Sequence, residues 1–206
     1  MGQWQWYGAG LAEALKGGID WDDGNVKLAL MTSSYAVNLD THDFFNDITN
    51  EVVGAGYTAG GGVLDTFAVT YVADSSATAW QASTAYQVGD VVRPTAANGH
   101  VYKCITAGTS HTVEPTFPTG VNDQVLETGG VEWVEYGLGY IKIDADDETW
   151  ANSTITARFA AIYYSTGTST TSPLLLYNDF GSDQISSNGN FTVQFDPTGI
   201  ATIGTR

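Results

Sequence analysis

The sequence of 206 residues has little cysteine and no long apolar run, and each shortage excludes a class of protein. A single cysteine, Cys104, can form neither an intrachain disulfide nor a cysteine-based zinc site. Its setting in an alternating strand, VYKCITAG, predicts a buried, inert thiol. No apolar run approaches the ~20 residues that a membrane-spanning helix needs. The first residues, MGQWQWYGAG, lack the basic segment and apolar stretch of a secretory signal. We therefore expect no membrane partner and no signal-directed secretion.

Basic residues are also scarce, with 7 Lys and Arg against 23 Asp and Glu, which gives a formal net charge of -16. A surface this negative repels phosphate backbones, so we expect no nucleic-acid partner. Such a charge favours solubility or docking on a basic protein.

Patterns typical of catalytic and metal sites are missing. The histidines His42, His100 and His111 lie in separate turns without metal-ligand spacing, and no serine lies in G-x-S-x-G. The glycines of 54–64 are spaced one residue too widely for a dinucleotide fingerprint. We interpret the acids of 144–148 as a solvated turn rather than a calcium site. We expect a protein that is not an enzyme, with no cofactor, no metal and no catalytic residues.

The residues that are abundant favour β-structure: the chain has 24 glycines and many Thr and Ser, whereas Lys and Glu are few. Periodicity predicts a short helix within 4–16, a helical turn within 41–52 and a strand over 26–32. Residues 154–167 are apolar on both faces, which predicts a central strand covered on each side. Short strands are predicted at 173–180, 190–195 and 199–203. The predicted fold class is mainly β: an antiparallel β-sandwich or barrel with one or two short helices, plus a small inserted all-β module.

The order of strands and turns predicts an insertion. Residues 78–137, called the inserted module here, alternate strand-like runs with Gly, Pro, Asn and Asp turns. Without this module, the strand ending near Val72 would join the strand starting near Tyr140 by a connection of ordinary hairpin length. The host β domain is then 1–77 and 138–206, interrupted at a loop tip, where insertions are tolerated.

Aromatic residues of the inserted module are its candidates for glycan binding, since sugar rings stack their apolar faces on Trp and Tyr planes. The candidates are Trp80, Tyr86, Tyr102, Trp133 and Tyr136. The alternative is that these rings fill the core of a module too small to have much else inside.

Five segments of the inserted module carry a resemblance to a known family. They are W-x-A-S-T-A-Y-x-V-G-D-V-V at 80–92, N-G-x-V-Y-K-C at 98–104, T-A-G-T-S at 106–110, E-P-T-F-P-T at 114–119 and G-G-V-E-W at 129–133. Together they resemble the small chitin-binding-like carbohydrate-binding modules that recur as insertions in tailed-bacteriophage virion proteins. This copy departs from the pattern in the longer segment before its last tryptophan.

The host segments resemble a structural protein family of tailed phages. The resemblance is carried by LAEAL and IDW near the start and by residues 26–45, 48–64, 143–181 and 186–200. It implies a non-enzymatic virion protein, made in the host-cell cytoplasm and placed on the outer surface of the head. Our first hypothesis is a capsid decoration or cement protein that binds the major capsid protein as a homo-oligomer, with a trimer as one possibility. The alternative is a tail-associated adhesion protein that binds host-surface glycan.

Two segments are candidates for subunit or capsid contact. The first, called the aromatic arm, comprises Trp4, Trp6 and Tyr7. The second, called the glycine loop, comprises Gly54, Gly56, Tyr57 and Gly60. A core-packed helix start is an equal alternative for the arm. The glycine loop is predicted to need positive φ or a close approach to a neighbouring chain.

Overall fold

A computed structural model of the chain describes residues 3–21 and 23–205. The chain divides into two compact units, one of Met1–Ala68 with Ala145–Phe195 and the other of Val69–Asp144 with Asp196–Arg206. The predicted mainly β class is confirmed, with several antiparallel sheets and one α-helix, and no closed barrel forms among the described residues.

Most secondary-structure elements are short, and two strands are long, with 17 and 20 residues. In chain order they are β1 (Gln5–Trp6), α1 (Gly8–Leu15), β2 (Val26–Met31), β3 (Gly62–Val63), β4 (Ala68–Ala73), β5 (Ala85–Tyr86), β6 (Val91–Val92), β7 (Val101–Thr106), β8 (Gly108–Thr109), β9 (Gln124–Leu126), β10 (Glu132–Gly137), β11 (Gly139–Asp144), β12 (Glu148–Tyr164), β13 (Leu174–Val193) and β14 (Ala201–Thr205). Single 3-10 turns lie at Phe45–Asp47, Asp74–Ser76 and Ser169–Thr171. No helix within 3–21 and 23–205 has the length and apolar character to cross a bilayer.

The first unit is built on a five-stranded sheet in the order β1-β13-β12-β2-β3. β12 is the middle strand and pairs antiparallel with both β13 and β2. Side chains on both of its faces are buried, with Ala160 and Ala161 fully covered and Tyr163 nearly so. The central strand predicted from the two apolar faces is therefore confirmed.

Helix α1 packs against the β13 side of this sheet. A Cβ at Gly10 would lie 1.9 Å from the Leu174 carbonyl oxygen, so only glycine allows this approach. The helix begins later than predicted, at Gly8, because Gln5 and Trp6 pair with β13 as a strand.

The prediction of separate short strands at 173–180 and 190–195 is wrong. Residues 174–193 form a single strand, and its polar middle pairs with the first half of β12. The hydroxyls of Ser153 and Ser186 bond to each other at 2.7 Å between these strands, which satisfies buried polar groups that resembled turn residues in the sequence. The helical turn predicted within 41–52 is reduced to the 3-10 turn at Phe45–Asp47.

The second unit contains a four-stranded sheet in the order β6-β7-β10-β9, the pair β5-β8 and a three-stranded sheet β14-β11-β4. β4 and β11 flank the inserted module in sequence and are neighbours in one sheet. Val91 and Val101 of the module pack in one buried cluster with Ala77 and Tyr140 of the flanking segments. Contacts thus group the flanking strands with the module, and the boundaries at 78–137 remain a prediction.

Gly61 provides a test of how tightly the edge of the five-stranded sheet is packed. It has φ 73°, and a Cβ there would lie 1.8 Å from the Leu28 carbonyl oxygen. Gly167 has a similar φ of 82° with no atom within 4 Å. We expect Gly167→Ala to lower the free energy of unfolding by about 1–2 kcal/mol, the cost of the left-handed conformation. Gly61→Ala should lose roughly 1–3 kcal/mol more, because the backbone must move.

Urea unfolding followed by tryptophan fluorescence measures both variants. Equal losses for Gly61→Ala and Gly167→Ala would show that the contact between Gly61 and β2 is looser than described.

Candidate functional site

The inserted module has its own aromatic core. Strands β7 and β10 pair so that Cys104 lies opposite Trp133, and alternation turns both inward together with Tyr102. The cluster of buried side chains comprises Trp80, Tyr86, Val92, Tyr102, Cys104, Phe117, Val131 and Trp133. A module of this size needs large side chains to bury enough apolar area, so the rings take the place of a larger aliphatic core.

The rings of this core meet mostly at steep angles. Tyr86 and Trp133 are T-shaped with centroids 4.9 Å apart, and Phe117 approaches Trp133 in the same way at 6.1 Å. Tyr102 lies 4.4 Å from Phe117 at a tilt of 37°. Edge-to-face contacts place the positive ring edge against the negative face, which favours this arrangement over a face-to-face stack.

The carboxylate of Glu127 joins the two tryptophans. Its Oε1 accepts hydrogen bonds from Trp80 Nε1 at 2.9 Å and from Trp133 Nε1 at 2.5 Å, and its Oε2 accepts one from the backbone N–H of His111 at 2.8 Å. Glu127 is 4% exposed, so a carboxylate without such donors would be costly here. Three N–H donors make the buried position favourable and fix both indole rings.

A second buried carboxylate, Glu135, connects two other segments of the module. Its Oε1 lies 3.0 Å from His100 Nδ1, and its Oε2 accepts the Asn122 backbone N–H at 3.1 Å. Nearby, the Tyr102 hydroxyl accepts from Asn98 Nδ2 and donates to the Pro118 carbonyl oxygen, both at 2.7 Å. These contacts tie the turn at 98–100 to the segment at 118–122.

The structure brings together four of the five predicted glycan-binding aromatics, but inside the core. Trp80 and Tyr86 are 4% and 7% exposed, and Tyr102 and Trp133 have no exposed surface. This geometry gives the four rings a core role, which is the second alternative left open by the sequence. Direct contact between these rings and a sugar remains a prediction, and the fully covered Tyr102 and Trp133 offer no face for it.

Tyr136 is the half-buried member of the predicted set and points away from the cluster of the other four. Its hydroxyl donates to the Thr202 carbonyl oxygen at 2.6 Å, and Lys103 Nζ lies 4.9 Å from its ring centroid. It therefore connects β10 to β14 within the second unit.

Glu127 and Glu135 are the residues that sequence reasoning missed. In the sequence they count only as two acids in an acidic chain. The available signal was their setting: Glu127 precedes the Gly129–Gly130 turn, and Glu135 lies two residues after Trp133, on the same inward face of its strand.

Cys104 behaves as the sequence predicts for an inert thiol. It is buried, and burial together with the negative charge of Asp90 raises the pKa of the thiol to about 12. Among the described residues no group of three or more His, Cys, Asp or Glu side chains could hold a metal ion.

The aromatic arm lies partly inside the first unit. Tyr7 is fully buried, and its hydroxyl lies 3.2 Å from that of Tyr35. Trp4 packs against Phe195 with centroids 5.7 Å apart, and Trp6 pairs with Leu176 in the sheet. Tyr7 therefore has the core role given as the alternative, while subunit contact through Trp4 and Trp6 remains a prediction.

The glycine loop approaches strand β12 of its own chain. A Cβ at Gly54 would lie 2.3 Å from the Thr154 carbonyl oxygen, and Gly56, with φ 80°, would clash with Ser153 in the same way. The positive φ predicted for this loop is thus present, and the close approach is intramolecular.

Hydrogen bonds hold the rest of the loop in place. The Tyr57 hydroxyl donates to Glu51 at 2.8 Å, the Gly60 N–H donates to the same Glu51 oxygen at 2.6 Å, and the Gly60 carbonyl accepts from Tyr163 at 2.8 Å. Burial raises the pKa of Tyr57 far above its usual range. Subunit or capsid contact by Tyr57 and Gly60 remains a prediction.

Comparison with protein families finds one match, between residues 79–116 and carbohydrate-binding module family 5/12. The matched segment contains strands β5 to β8 and three of the core aromatics, and it ends before Glu127 and Trp133. Modules of this family are typically non-catalytic. Comparison of the chain with curated proteins gives no match, and comparison with solved structures gives none. A carbohydrate-binding module is therefore indicated in the second unit.

The role of Glu127 predicts that the module depends on a residue outside the matched segment. Glu127→Ala leaves two buried indole N–H groups without an acceptor, and each such donor costs about 1–3 kcal/mol. We expect a loss of roughly 3 kcal/mol or more in the free energy of unfolding of the second unit, measured by urea unfolding followed by near-ultraviolet circular dichroism.

Glu132→Ala is the matched control, because Glu132 lies on the same hairpin and its carboxylate accepts a hydrogen bond from the exposed Thr106 hydroxyl at 3.0 Å. It should change the free energy by no more than about 0.5 kcal/mol. If the two variants unfold alike, Glu127 does not organise this core.

Proposed function

We propose that this protein is a non-enzymatic virion component of a tailed bacteriophage, most simply a capsid decoration protein, whose inserted module binds glycan. The match of residues 79–116 to a carbohydrate-binding family is the observation that carries the glycan part. The sequence resemblance of both the module and the host segments supports the virion setting. An outer position on the head would present the module to the medium.

The surface of the module, rather than its buried rings, supplies the groups for sugar recognition. Gln81 and Gln87 are exposed and directly follow Trp80 and Tyr86, two core aromatics that are not fully covered. The backbone N–H of Gln81 donates to the Tyr86 hydroxyl at 2.8 Å, which fixes this segment over the ring. Amide side chains both donate and accept, as sugar hydroxyls require. A rigid backbone presents these amides at low entropic cost.

Charge selects the class of glycan. At a net charge of -16, the chain repels anionic polysaccharides at long range, whereas a neutral glycan meets no such barrier. We therefore propose a neutral glycan, with chitin as the first probe because the module resembles chitin-binding modules.

Attachment to the capsid is the second part of the proposal. The first unit would bind the major capsid protein as a homo-oligomer, and many weak contacts over one particle would add up through avidity. The alternative is a tail-associated adhesion protein that binds host-surface glycan. The same family match supports it, because adhesion requires glycan binding but no attachment to the capsid.

The glycan proposal predicts that the full chain is retained on chitin beads and eluted by soluble N-acetylglucosamine oligosaccharides. Retention on immobilised polygalacturonate, an anionic control, should be absent at low salt. Gln81→Ala with Gln87→Ala should weaken retention on chitin about tenfold or more, since each lost hydrogen bond is worth about 0.5–1.5 kcal/mol.

Glu132→Ala is the matched control and should bind chitin as the unaltered chain does. Absence of retention on chitin and on other neutral polysaccharides, by protein with a native circular dichroism spectrum, would overturn the glycan proposal.

The capsid proposal predicts that purified protein binds to particles assembled without it and raises the temperature at which they release DNA. Co-sedimentation and a thermal release assay measure these effects. Particles that neither bind the protein nor gain stability would exclude capsid decoration and leave the tail-associated alternative, whatever the outcome of the chitin experiment.

A further inference from the structure

Strand β13 has a long side without a partner. Beyond Leu176 and Tyr177, which pair with β1, no strand within the described residues pairs with the side of 184–193, directly after Asp183, that faces away from β12. We call this side the β13 edge. The described strands that end a sheet have between 2 and 6 residues, whereas β13 has 20 and β1 pairs with two of them.

The β13 edge lacks the side chains that usually guard an exposed strand. Natural edges are kept from pairing by charged residues, by proline or by being short. Residues 184–195 contain no charged residue and no proline, in a chain with 23 acidic and 7 basic residues. Ile185, in the middle of this strand, is 72% exposed.

A neutral groove of about 430 Å³ runs beside the β13 edge. Its lining combines apolar and uncharged polar side chains: Phe180, Gln184, Ile185, Asn190, Phe191 and Thr192, with Val193 and Gln194 at its end. Neither a cation nor an anion is present in this lining to bind a charged ligand.

We propose that the β13 edge pairs with the same edge of a second copy of this chain, antiparallel and about a two-fold axis. Antiparallel pairing of one edge with itself is self-complementary, as a two-fold interface must be. Two chains of charge -16 repel each other over most of their surfaces, so an uncharged edge is where they approach at least cost. Main-chain hydrogen bonds and burial of Ile185 then hold the pair together.

Bulges limit the length of this contact. The pairing of β13 with β12 shifts between Ser153 and Ile155 and again between Ala157 and Phe159, so the edge is regular only over short runs. Such a contact is small, and we expect a dissociation constant on the order of micromolar. The dimer depends on neither glycan binding nor capsid attachment.

Sedimentation equilibrium of the full chain tests the proposal. We expect the mass to rise from one chain to two over roughly 1–100 μM, and the association to strengthen with added salt, because salt screens the repulsion between acidic copies. An interface made of ion pairs would instead weaken with salt.

Ile185→Lys places a charge in the β13 edge and should weaken dimerisation tenfold or more. Leu15→Lys is the matched control: Leu15 is 74% exposed, at the end of α1 on the same unit, and its change should leave dimerisation unaltered. Circular dichroism of both variants confirms that they fold.

Several results would overturn the proposal: one chain at every concentration, a trimer, weakening by salt, or equal behaviour of the two lysine variants. A monomer that binds chitin oligosaccharide or an extended peptide, with binding lost in Ile185→Lys, would assign the edge to that ligand instead.

Discussion

The carboxylate of Glu127 holds together the core of the inserted module by accepting hydrogen bonds from two tryptophans. Trp80 and Glu127 are 47 residues apart in sequence, yet the indole N–H and the carboxylate oxygen are 2.9 Å apart in the core, and the same oxygen binds Trp133. A module this small cannot bury two indoles without also burying their N–H groups, and each buried donor requires an acceptor. Glu127 meets both requirements, so the packing of the aromatic core and the path of the chain between β8 and β10 depend on this residue.

The first unit depends on a different constraint, the burial of β12 between two partner strands. Because alternating residues of β12 are apolar on both faces in its second half, this half can lie only in the middle of a sheet. Its first half is more polar and pairs with the polar middle of β13, where serine hydroxyls satisfy each other. The glycine loop then packs on β12 through positions that have no room for a Cβ.

Because the core aromatic rings of the module and both faces of the second half of β12 are buried, binding to partners must use other surfaces of the chain. The module keeps its large rings inside, so the proposed sugar recognition uses neutral amides on the surface, and we expect the net charge of -16 to disfavour anionic glycans. Because of the same charge, two copies of the chain approach each other most easily at uncharged surfaces. The β13 edge is such a stretch, and it is also the long strand edge that the described part of the chain leaves open.

The sequence by itself determined the mainly β class, the central strand and the inert cysteine, because periodicity and turn residues are local properties. Its resemblance to known modules indicated carbohydrate binding in a segment that includes the matched residues 79–116. The sequence did not determine that β13 is one long strand. The polar residues in the middle of β13 resemble a turn in the sequence, and only their pairing with β12 shows that they continue the strand. Nor did the sequence show which way the aromatic rings face. Only the tertiary structure decided that four of them fill the core, because burial depends on Glu127 and other residues distant in sequence that supply the hydrogen-bond acceptors.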